Sequence, residues 1–283
     1  MFKFIIQDVV FFFNHKIYCF SYYYFIFLCN LIFFYKKTFY TLCALSLLFI
    51  SCSKDDTTVA TAPENTTTNI LPKKIIEEGV TGILTYDGNK LLAVTYPYKK
   101  TVFTYTGDLV TKIISYSNNA TSQITDYTYD NGKLKIIDLN EIDSPSTNKT
   151  VLTYNTDGTI TYIRTAKNKQ TGIETPEHSK KETFLNGNIV KKEITAGTHN
   201  SIYTYEYDTK NNATKNILGF NKLLDAEMSN ANNLVKETTV QIGSTQTTRT
   251  TTNQYLYNAQ DYPIAQKKYD ETNVLKRTTT FEY

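Results

Sequence analysis

Aromatic and polar residues alternate along much of the chain from about residue 71 to its C-terminus. The run from Tyr203 to Tyr207 shows the pattern most clearly, because every second residue in it is a tyrosine. A period of two residues is that of a β-strand with one buried face and one solvated face. The pattern therefore predicts antiparallel strands throughout this region.

Turn residues connect these strands into hairpins. Between Tyr129 and Leu134 the pair Asn131-Gly132 occupies the turn, and both residue types adopt positive φ readily. This register sets Tyr129 opposite Leu134, a cross-strand pair that stabilises a hairpin by roughly 0.2–1 kcal/mol. The same order of aromatic residue, turn and following residue recurs in Tyr86–Leu91, Tyr105–Val110, Tyr154–Ile160, Phe184–Ile189 and Tyr257–Pro263.

The hairpins recur at a regular spacing. Tyr105, Tyr129 and Tyr154 are 24 and 25 residues apart, which fits one hairpin plus a connection. We predict an all-β fold, a single large antiparallel meander of repeated hairpins that forms a curved sheet or a partial barrel. Residues 208–224 have no short turn, and they favour an irregular loop with one or two helical turns that plugs or covers the sheet.

These repeats resemble a known family. The segment from Tyr154 to Ile160 resembles the tyrosine-aspartate (YD) repeat of Rhs-type proteins, with Asn155 where aspartate is usual. Over residues 71–283 the chain is similar to uncharacterised Bacteroidota lipoproteins whose repeated hairpins form a porin-like domain. The resemblance implies this fold and brings no assigned activity with it.

The N-terminal region has the organisation of a bacterial lipoprotein precursor. Residues 36–51 combine a basic start, an apolar stretch and a final small residue, and Leu48–Cys52 resembles the lipobox, in which the cysteine is acylated. The apolar run is shorter than the ~20 residues that a spanning helix needs. We therefore expect a signal peptide at 36–51, membrane attachment through lipidated Cys52, and a flexible tether at 52–70.

Two flanking segments complete this interpretation. Residues 1–35 precede a complete signal peptide, and we interpret them as a mis-assigned N-terminal extension. After the cysteine, Ser53, Lys54, Asp55 and Asp56 resemble the acidic export signal of surface lipoproteins, although an ordinary solvated linker has a similar composition. We predict a lipid-anchored protein of the outer membrane on the cell surface, with the periplasmic face as the alternative.

Composition narrows the chemistry. Four of the 30 basic and one of the 27 acidic residues precede Cys52, which leaves 26 of each and no electrostatic footprint for nucleic acid. No cysteine follows Cys52, and only His178 and His199 remain as imidazoles, which disfavours disulfides, thiolate chemistry and a multi-histidine metal site. Turn chemistry accounts for the aspartates. We predict no catalytic residue, no metal site and no cofactor.

These features favour a non-enzymatic binding or scaffold module whose partner is an extracellular glycan or protein. A periplasm-facing carrier or envelope-assembly factor is the first alternative. A hydrolase of extracellular polymers is the second, and it needs two carboxylates that converge in a cleft. The tyrosine-bearing face is either the core of the sheet or a groove in which sugars or peptides stack. The ligand and the oligomeric state stay open.

Overall fold

The computed structural model describes residues 70–225 and 228–283. The expected N-terminal extension, signal peptide, lipidation site at Cys52, export signal at residues 53–56 and nearly all of the tether lie outside the described residues. Within the two described ranges, no helix is long and apolar enough to cross a membrane.

Sixteen strands make up the described part of the chain. Their bounds are β1 Lys74–Glu77, β2 Val80–Asp87, β3 Lys90–Thr95, β4 Lys99–Thr106, β5 Leu109–Ser117, β6 Ala120–Asp130, β7 Lys133–Glu141, β8 Ser146–Tyr154, β9 Ile160–Asn168, β10 Glu174–Leu185, β11 Asn188–Ala196, β12 His199–Tyr207, β13 Leu234–Ile242, β14 Thr247–Tyr257, β15 Pro263–Tyr269 and β16 Leu275–Glu282. Each strand pairs antiparallel with its neighbours in the sequence, so the predicted all-β meander is confirmed.

The meander closes on itself. Strand β1 pairs with β2 on one side and with β16 on the other, so that Ile75 lies opposite both Gly82 and Phe281. The sixteen strands form a complete barrel, and the expected curved sheet or partial barrel is wrong. The physical reason is that β1 has only four residues, too few to show a period of two, and closure joins segments about 200 residues apart.

The connections of the barrel fall into two rims. Because successive strands run in opposite directions, alternate connections lie at the same end. The lower rim has the connections at residues 88–89, 107–108, 131–132, 155–159, 186–187, 208–233 and 258–262. The upper rim has those at 78–79, 96–98, 118–119, 142–145, 169–173, 197–198, 243–246 and 270–274. The hairpins predicted from the sequence all turn at the lower rim.

The geometry of these hairpins matches the prediction. Asn131 and Gly132 both have positive φ, at 50° and 73°. Tyr129 lies opposite Leu134, and the register shifts by one residue between Thr128 and Tyr129. The equivalent shift precedes Tyr86, Tyr105, Phe184 and Tyr257. A β-bulge therefore accompanies these lower-rim turns and increases the local twist that a closed barrel needs.

Tyrosine hydroxyls connect successive hairpins at the lower rim. The hydroxyl of Tyr129 donates to the backbone carbonyl of Val110 at 2.9 Å, and that of Tyr154 donates to Leu134 at 3.0 Å. In both cases the acceptor is the second residue after the preceding turn. Other tyrosine hydroxyls also donate to the backbone carbonyl of a neighbouring segment, namely Tyr86 to Pro72, Tyr207 to Ile189, Tyr255 to Leu234 and Tyr283 to Pro263. A tyrosine at this position thus positions the neighbouring hairpin.

The apolar core lies inside the barrel, next to the lower rim. In five of the hairpins, an aliphatic residue one or two positions after the turn is between 0% and 5% exposed and faces the aromatic residue of the same hairpin; these residues are Leu91, Val110, Leu134, Ile160 and Ile189. Burial also raises the pKa of Tyr105 and Tyr129 to about 12. At these hairpins the tyrosine-bearing face is therefore part of the core.

Candidate functional site: a cup in the barrel lumen

A long loop closes the lower rim. Residues 208–233, called the plug below, connect β12 to β13 and contact the turns on several sides of the barrel. The amide of Leu218 donates to the carbonyl of Asn89 at 2.9 Å, that of Asn211 to Asp261 at 3.0 Å, and that of Ala231 to Gly187 at 3.2 Å. The predicted loop is therefore ordered, and it contains the predicted helical turn as a 3₁₀ helix over Phe220–Lys222.

Apolar side chains of the plug pack into the core of the barrel. Ile217, Phe220 and Leu223 are each 3% exposed or less, and they pack with residues of β2 to β5. The ring of Phe220 lies 5.5 Å from the ring of Phe103, centroid to centroid. Gly219 precedes Phe220 with φ of 79°, and a Cβ there would lie 2.7 Å from the carbonyl oxygen of Asp108. The plug therefore needs glycine at this position to approach the β4–β5 turn.

Polar residues anchor the two ends of the plug. The carboxylate of Asp208 accepts hydrogen bonds from the hydroxyl of Tyr257 and from the backbone amide of Asn233. The side-chain carbonyl of Asn230 accepts from the amide of Ile189 at 2.8 Å, and Asn188 donates to Asn232 at 2.9 Å. The polar run that the sequence shows at the start of the plug thus provides hydrogen bonds that hold it in place.

Above the plug, the lumen contains a pocket of about 340 Å³. Its floor is the plug, which contributes Asn212, Asn230, Asn232 and Asn233. Its wall is the inner face of the barrel, which contributes Glu77, Lys192, Tyr205, Glu237, Tyr255, Gln266, Lys268 and Arg277. Only short connections form the upper rim among the described residues, so the lumen is a cup that is closed below and open above.

The charged wall residues point inward because they share the phase of the inner tyrosines. Lys192 lies opposite Tyr203, and Glu237 lies opposite Tyr205. Lys268 lies opposite Asn253 in β14 and opposite Arg277 in β16. The alternation of the strands thus places five charged groups on the wall of one pocket.

Aromatic rings and burial shape the electrostatics of this wall. The Nζ atom of Lys192 lies 4.1 Å from the ring centroid of Tyr203 and 5.7 Å from that of Tyr205. Burial lowers the pKa of Lys192, and Lys180 lowers it further, while nearby carboxylates such as Glu237 act in the opposite direction. The protonated, charged form of Lys192 is therefore less favourable in the lumen than in water.

A second set of charges lies beside the pocket on β9 and β10. Glu182 is 1% exposed and pairs with Lys180 at 2.8 Å. The Nζ atom of Lys180 also lies 3.6 Å from the ring centroid of Tyr162. His178 lies opposite Arg164, and burial and that guanidinium keep its pKa below its ordinary value. Lys180 therefore offsets the charge of Glu182 along β10, and the ring of Tyr162 packs against it from β9.

The outer face of the barrel is polar. Ion pairs lie along the strands there, including Lys112–Asp126 at 3.0 Å and Lys236–Glu206 at 2.8 Å. Threonines occupy many other outward positions, as where Thr238 lies between Thr204 and Thr250. Exposed aliphatic residues are interspersed, namely Ile83, Ile163, Leu185 and Leu256. The outer face is thus a mixed surface, with charged residues at outward positions along the strands.

Aspartates at the lower-rim connections have structural roles. Asp157 accepts hydrogen bonds from the amide and the hydroxyl of Thr159 within its turn, and Asp208 anchors the plug. No group of three or more potential metal ligands occurs in residues 70–225 and 228–283. Sequence reasoning missed the luminal charges. Their phase was visible, because Arg277 lies two and four positions from Thr279 and Phe281 on one strand face.

Comparisons with known proteins bear on the fold. No protein-family model matches the chain, and no curated protein matches it. In fold it is similar to a porin-like protein from Bacteroides vulgatus ATCC 8482, with 15% identity, coverage of 75% of this chain and 98% of that one, and a TM-score of 0.53. A porin-like protein from Bacteroides uniformis ATCC 8492 gives 11% identity, 75% and 97% coverage and a TM-score of 0.43. The chain therefore has a porin-like fold, a closed antiparallel barrel of sixteen strands.

Proposed function

We propose that this protein is a non-enzymatic binding module of the outer membrane, held there by a lipid at Cys52, whose barrel stands in water and binds a small polar ligand in its cup. The observation that carries the proposal is the contrast between the two faces of the barrel. The outer face has ion pairs along its strands, and the inner face has a walled pocket above a plug.

The outer face is unsuited to lipid contact. Transmembrane barrels present an apolar band about 25 Å tall, flanked by aromatic girdles, and a lysine or arginine at the midplane costs about 2–4 kcal/mol. Here Lys112, Lys191 and Lys236 lie within strands, and each pairs with an acidic residue on the same face. A porin-like fold therefore does not make this barrel a membrane channel, and the plug further favours a binding role over conduction.

Membrane attachment is then the task of the N-terminal region. The lipobox-like ending at Cys52 and the polar tether after it supply an anchor and a spacer. Two or more acyl chains give stable attachment, whereas a single chain gives only marginal binding. An anchored barrel that faces water accounts for both the precursor-like N-terminus and the charged outer face.

The pocket favours a polar ligand over a lipid. A carrier for acyl chains needs a continuous apolar cavity, because hydrocarbon leaves buried polar groups unpaired. The pocket instead has amide side chains on its floor, and charged and tyrosine side chains on its wall. This composition supports the binding module over the periplasmic lipid carrier.

The test separates anchoring from spanning. All sixteen strands pair within residues 74–283, so a chain that begins at Ser53 keeps every strand pair. We expect residues 53–283 to fold and stay monodisperse in water without detergent. We also expect the full chain, expressed in its host, to sediment with membranes and to incorporate radiolabelled palmitate, with a Cys52→Ala variant unlabelled. A chain from residue 53 that folds only in detergent micelles would show that the barrel spans the bilayer.

A further inference from the structure

We infer that the cup binds an acidic sugar, a uronic acid or the uronic-acid end of a glycan, with Lys192, Lys268 and Arg277 around its carboxylate. The inference rests on the proposed function, in which the cup is the binding site, and it names the ligand class. Three observations carry it, namely wall charges without ion-pair partners, two cations in direct register, and a wall that carries both donors and acceptors.

The charged residues of the wall do not form direct ion pairs with one another. Three cations and two carboxylates line the pocket, and none of the five forms an ion pair within 4.0 Å among the residues that the structure describes. The neighbouring Lys180–Glu182 pair shows that ion pairing does occur on the inner wall. Charges that are partly buried without a partner are costly. A bound anion would offset the excess of positive charge.

The register of β15 and β16 brings two of the cations together. Lys268 and Arg277 occupy directly opposed positions on adjacent strands, and both line the pocket. Like charges in directly opposed positions destabilise an antiparallel pair. A carboxylate placed between the ammonium and the guanidinium would replace this repulsion by charge-assisted hydrogen bonds, for which arginine is well suited. The repulsion therefore points to an anionic ligand.

The rest of the pocket suits hydroxyl groups. The Nε2 atom of Gln266 donates to the Oδ1 atom of Asn253 at 3.0 Å, which orients the Gln266 side chain, and its Oε1 atom is an acceptor. Glu237 on the wall adds carboxylate acceptors and Lys192 adds ammonium donors, whereas the amides of Asn212 and Asn233 are bonded within the plug. Each hydroxyl of a sugar both donates and accepts, and a volume of about 340 Å³ is in the range of small-ligand pockets.

Tyrosine side chains complete the match to a sugar. Tyr205 and Tyr255 line the same pocket, and tyrosine combines an apolar ring with a polar hydroxyl. The hydroxyl of Tyr255 is already bonded to the carbonyl of Leu234, so its contribution to a ligand is its ring. The plug closes the cup below, which favours the terminal unit of a glycan over a polymer that passes through.

The experiment is calorimetric titration of the full chain in detergent micelles. The probes are galacturonic and glucuronic acid with their di- and trisaccharides, and the neutral counterparts galactose and glucose serve as the comparison. We expect the acidic sugars to bind at least about tenfold more tightly than the neutral ones, as a charge-assisted contact predicts. Raising the salt concentration should weaken the binding of the acidic sugars and leave the binding of the neutral sugars unchanged.

Matched variants locate the binding groups. Lys268→Gln removes an inward lysine, whereas Lys267→Gln removes the exposed lysine beside it on the outer phase of the same strand. We expect about tenfold weaker binding of the acidic sugar for Lys268→Gln and no change for Lys267→Gln. Lys192→Gln and its outward neighbour Lys191→Gln form a second pair, which keeps the test decisive if one luminal variant fails to fold. Thermal unfolding of each variant checks the fold.

Several outcomes would overturn the inference. These are equal binding of neutral and acidic sugars, equal effects of the inward and outward lysine variants, and binding of a glutamate dipeptide in place of any sugar. Failure of all acidic sugars to bind would also refute it. None of these results bears on whether residues 53–283 fold in water, so the inference and the water-facing anchored barrel fail separately.

Discussion

At the scale of single residues, the tyrosine hydroxyl explains the repeated aromatic position. An aromatic ring and an aliphatic partner are enough to form a hairpin, and Phe184 shows that the position accepts a ring without a hydroxyl. The hydroxyl adds a bond from one hairpin to the backbone of the previous one, as from Tyr129 to Val110. A tyrosine here therefore stabilises the order of the hairpins around the barrel as well as each hairpin.

A conservative substitution isolates this bond. Tyr129→Phe keeps the ring against Leu134 but leaves the carbonyl of Val110 without its donor, and we expect the free energy of unfolding to fall by about 0.5–1.5 kcal/mol. Tyr98→Phe is the control, because Tyr98 is 76% exposed on an upper-rim turn. Chemical denaturation of both variants measures the difference. Equal stability of the two variants would show that the inter-hairpin bond contributes nothing.

The inward direction of the charged side chains could not be decided from the alternation of residues alone. The phase that places Tyr205 inward also places Glu237 and Lys192 inward, as their register shows. From the sequence alone, these charged residues are expected to face solvent, because charged residues in a strand usually face water. Only the closed lumen and its plug give such inward charges a partly enclosed environment.

At the scale of elements, the hairpins could be predicted and the closure could not. The turn at Asn131-Gly132 and the pair Tyr129–Leu134 depend on residues within six positions of one another, so local chemistry is enough to specify them. The pairing of Lys74 with Glu282 depends on two distant chain ends that meet only when every intervening strand has its twist. The plug was recognised as an irregular segment, but its contacts with turns around the rim are equally non-local.

The plug offers a test at this scale. Gly219 and Gly132 both have positive φ, so alanine is strained at either position, by about 1 kcal/mol. Only at Gly219 does the added Cβ also meet backbone, at 2.7 Å from the carbonyl of Asp108, whereas nothing lies within 4 Å at Gly132. We expect Gly219→Ala to lower the free energy of unfolding clearly more than Gly132→Ala does.

Hydrogen exchange identifies where the damage occurs. In Gly219→Ala we expect faster exchange at amides that bond the plug to the rim, such as those of Leu218 and Ala231, with the strands protected. In Gly132→Ala the plug amides should exchange as in the native protein. Similar stability and exchange in both variants would mean that the plug does not depend on its close approach to the β4–β5 turn.

At the scale of the whole molecule, the proposal requires an N-terminal anchor and a barrel whose two faces differ in charge pairing. The outer face has paired, exposed charges, and the pocket wall on the inner face has five charged residues without an ion-pair partner among the described residues. If an exported barrel stands in water, the side of the membrane that it faces decides which ligands it meets. A protein on the cell surface meets the uronic acids of extracellular glycans directly.

Surface display is tested by protease treatment of intact cells that express the native protein. If residues 53–56 act as an export signal, the native barrel should be cleaved on intact cells, and an Asp55→Ala/Asp56→Ala variant should be protected until the cells are lysed. A Thr57→Ala/Thr58→Ala variant changes the same tether without removing charge and should be cleaved like the native protein. Protection of the native protein on intact cells, with cleavage after lysis, would place the barrel on the periplasmic side. Its ligand would then be sought among envelope components, and the carrier or assembly role would replace the surface role.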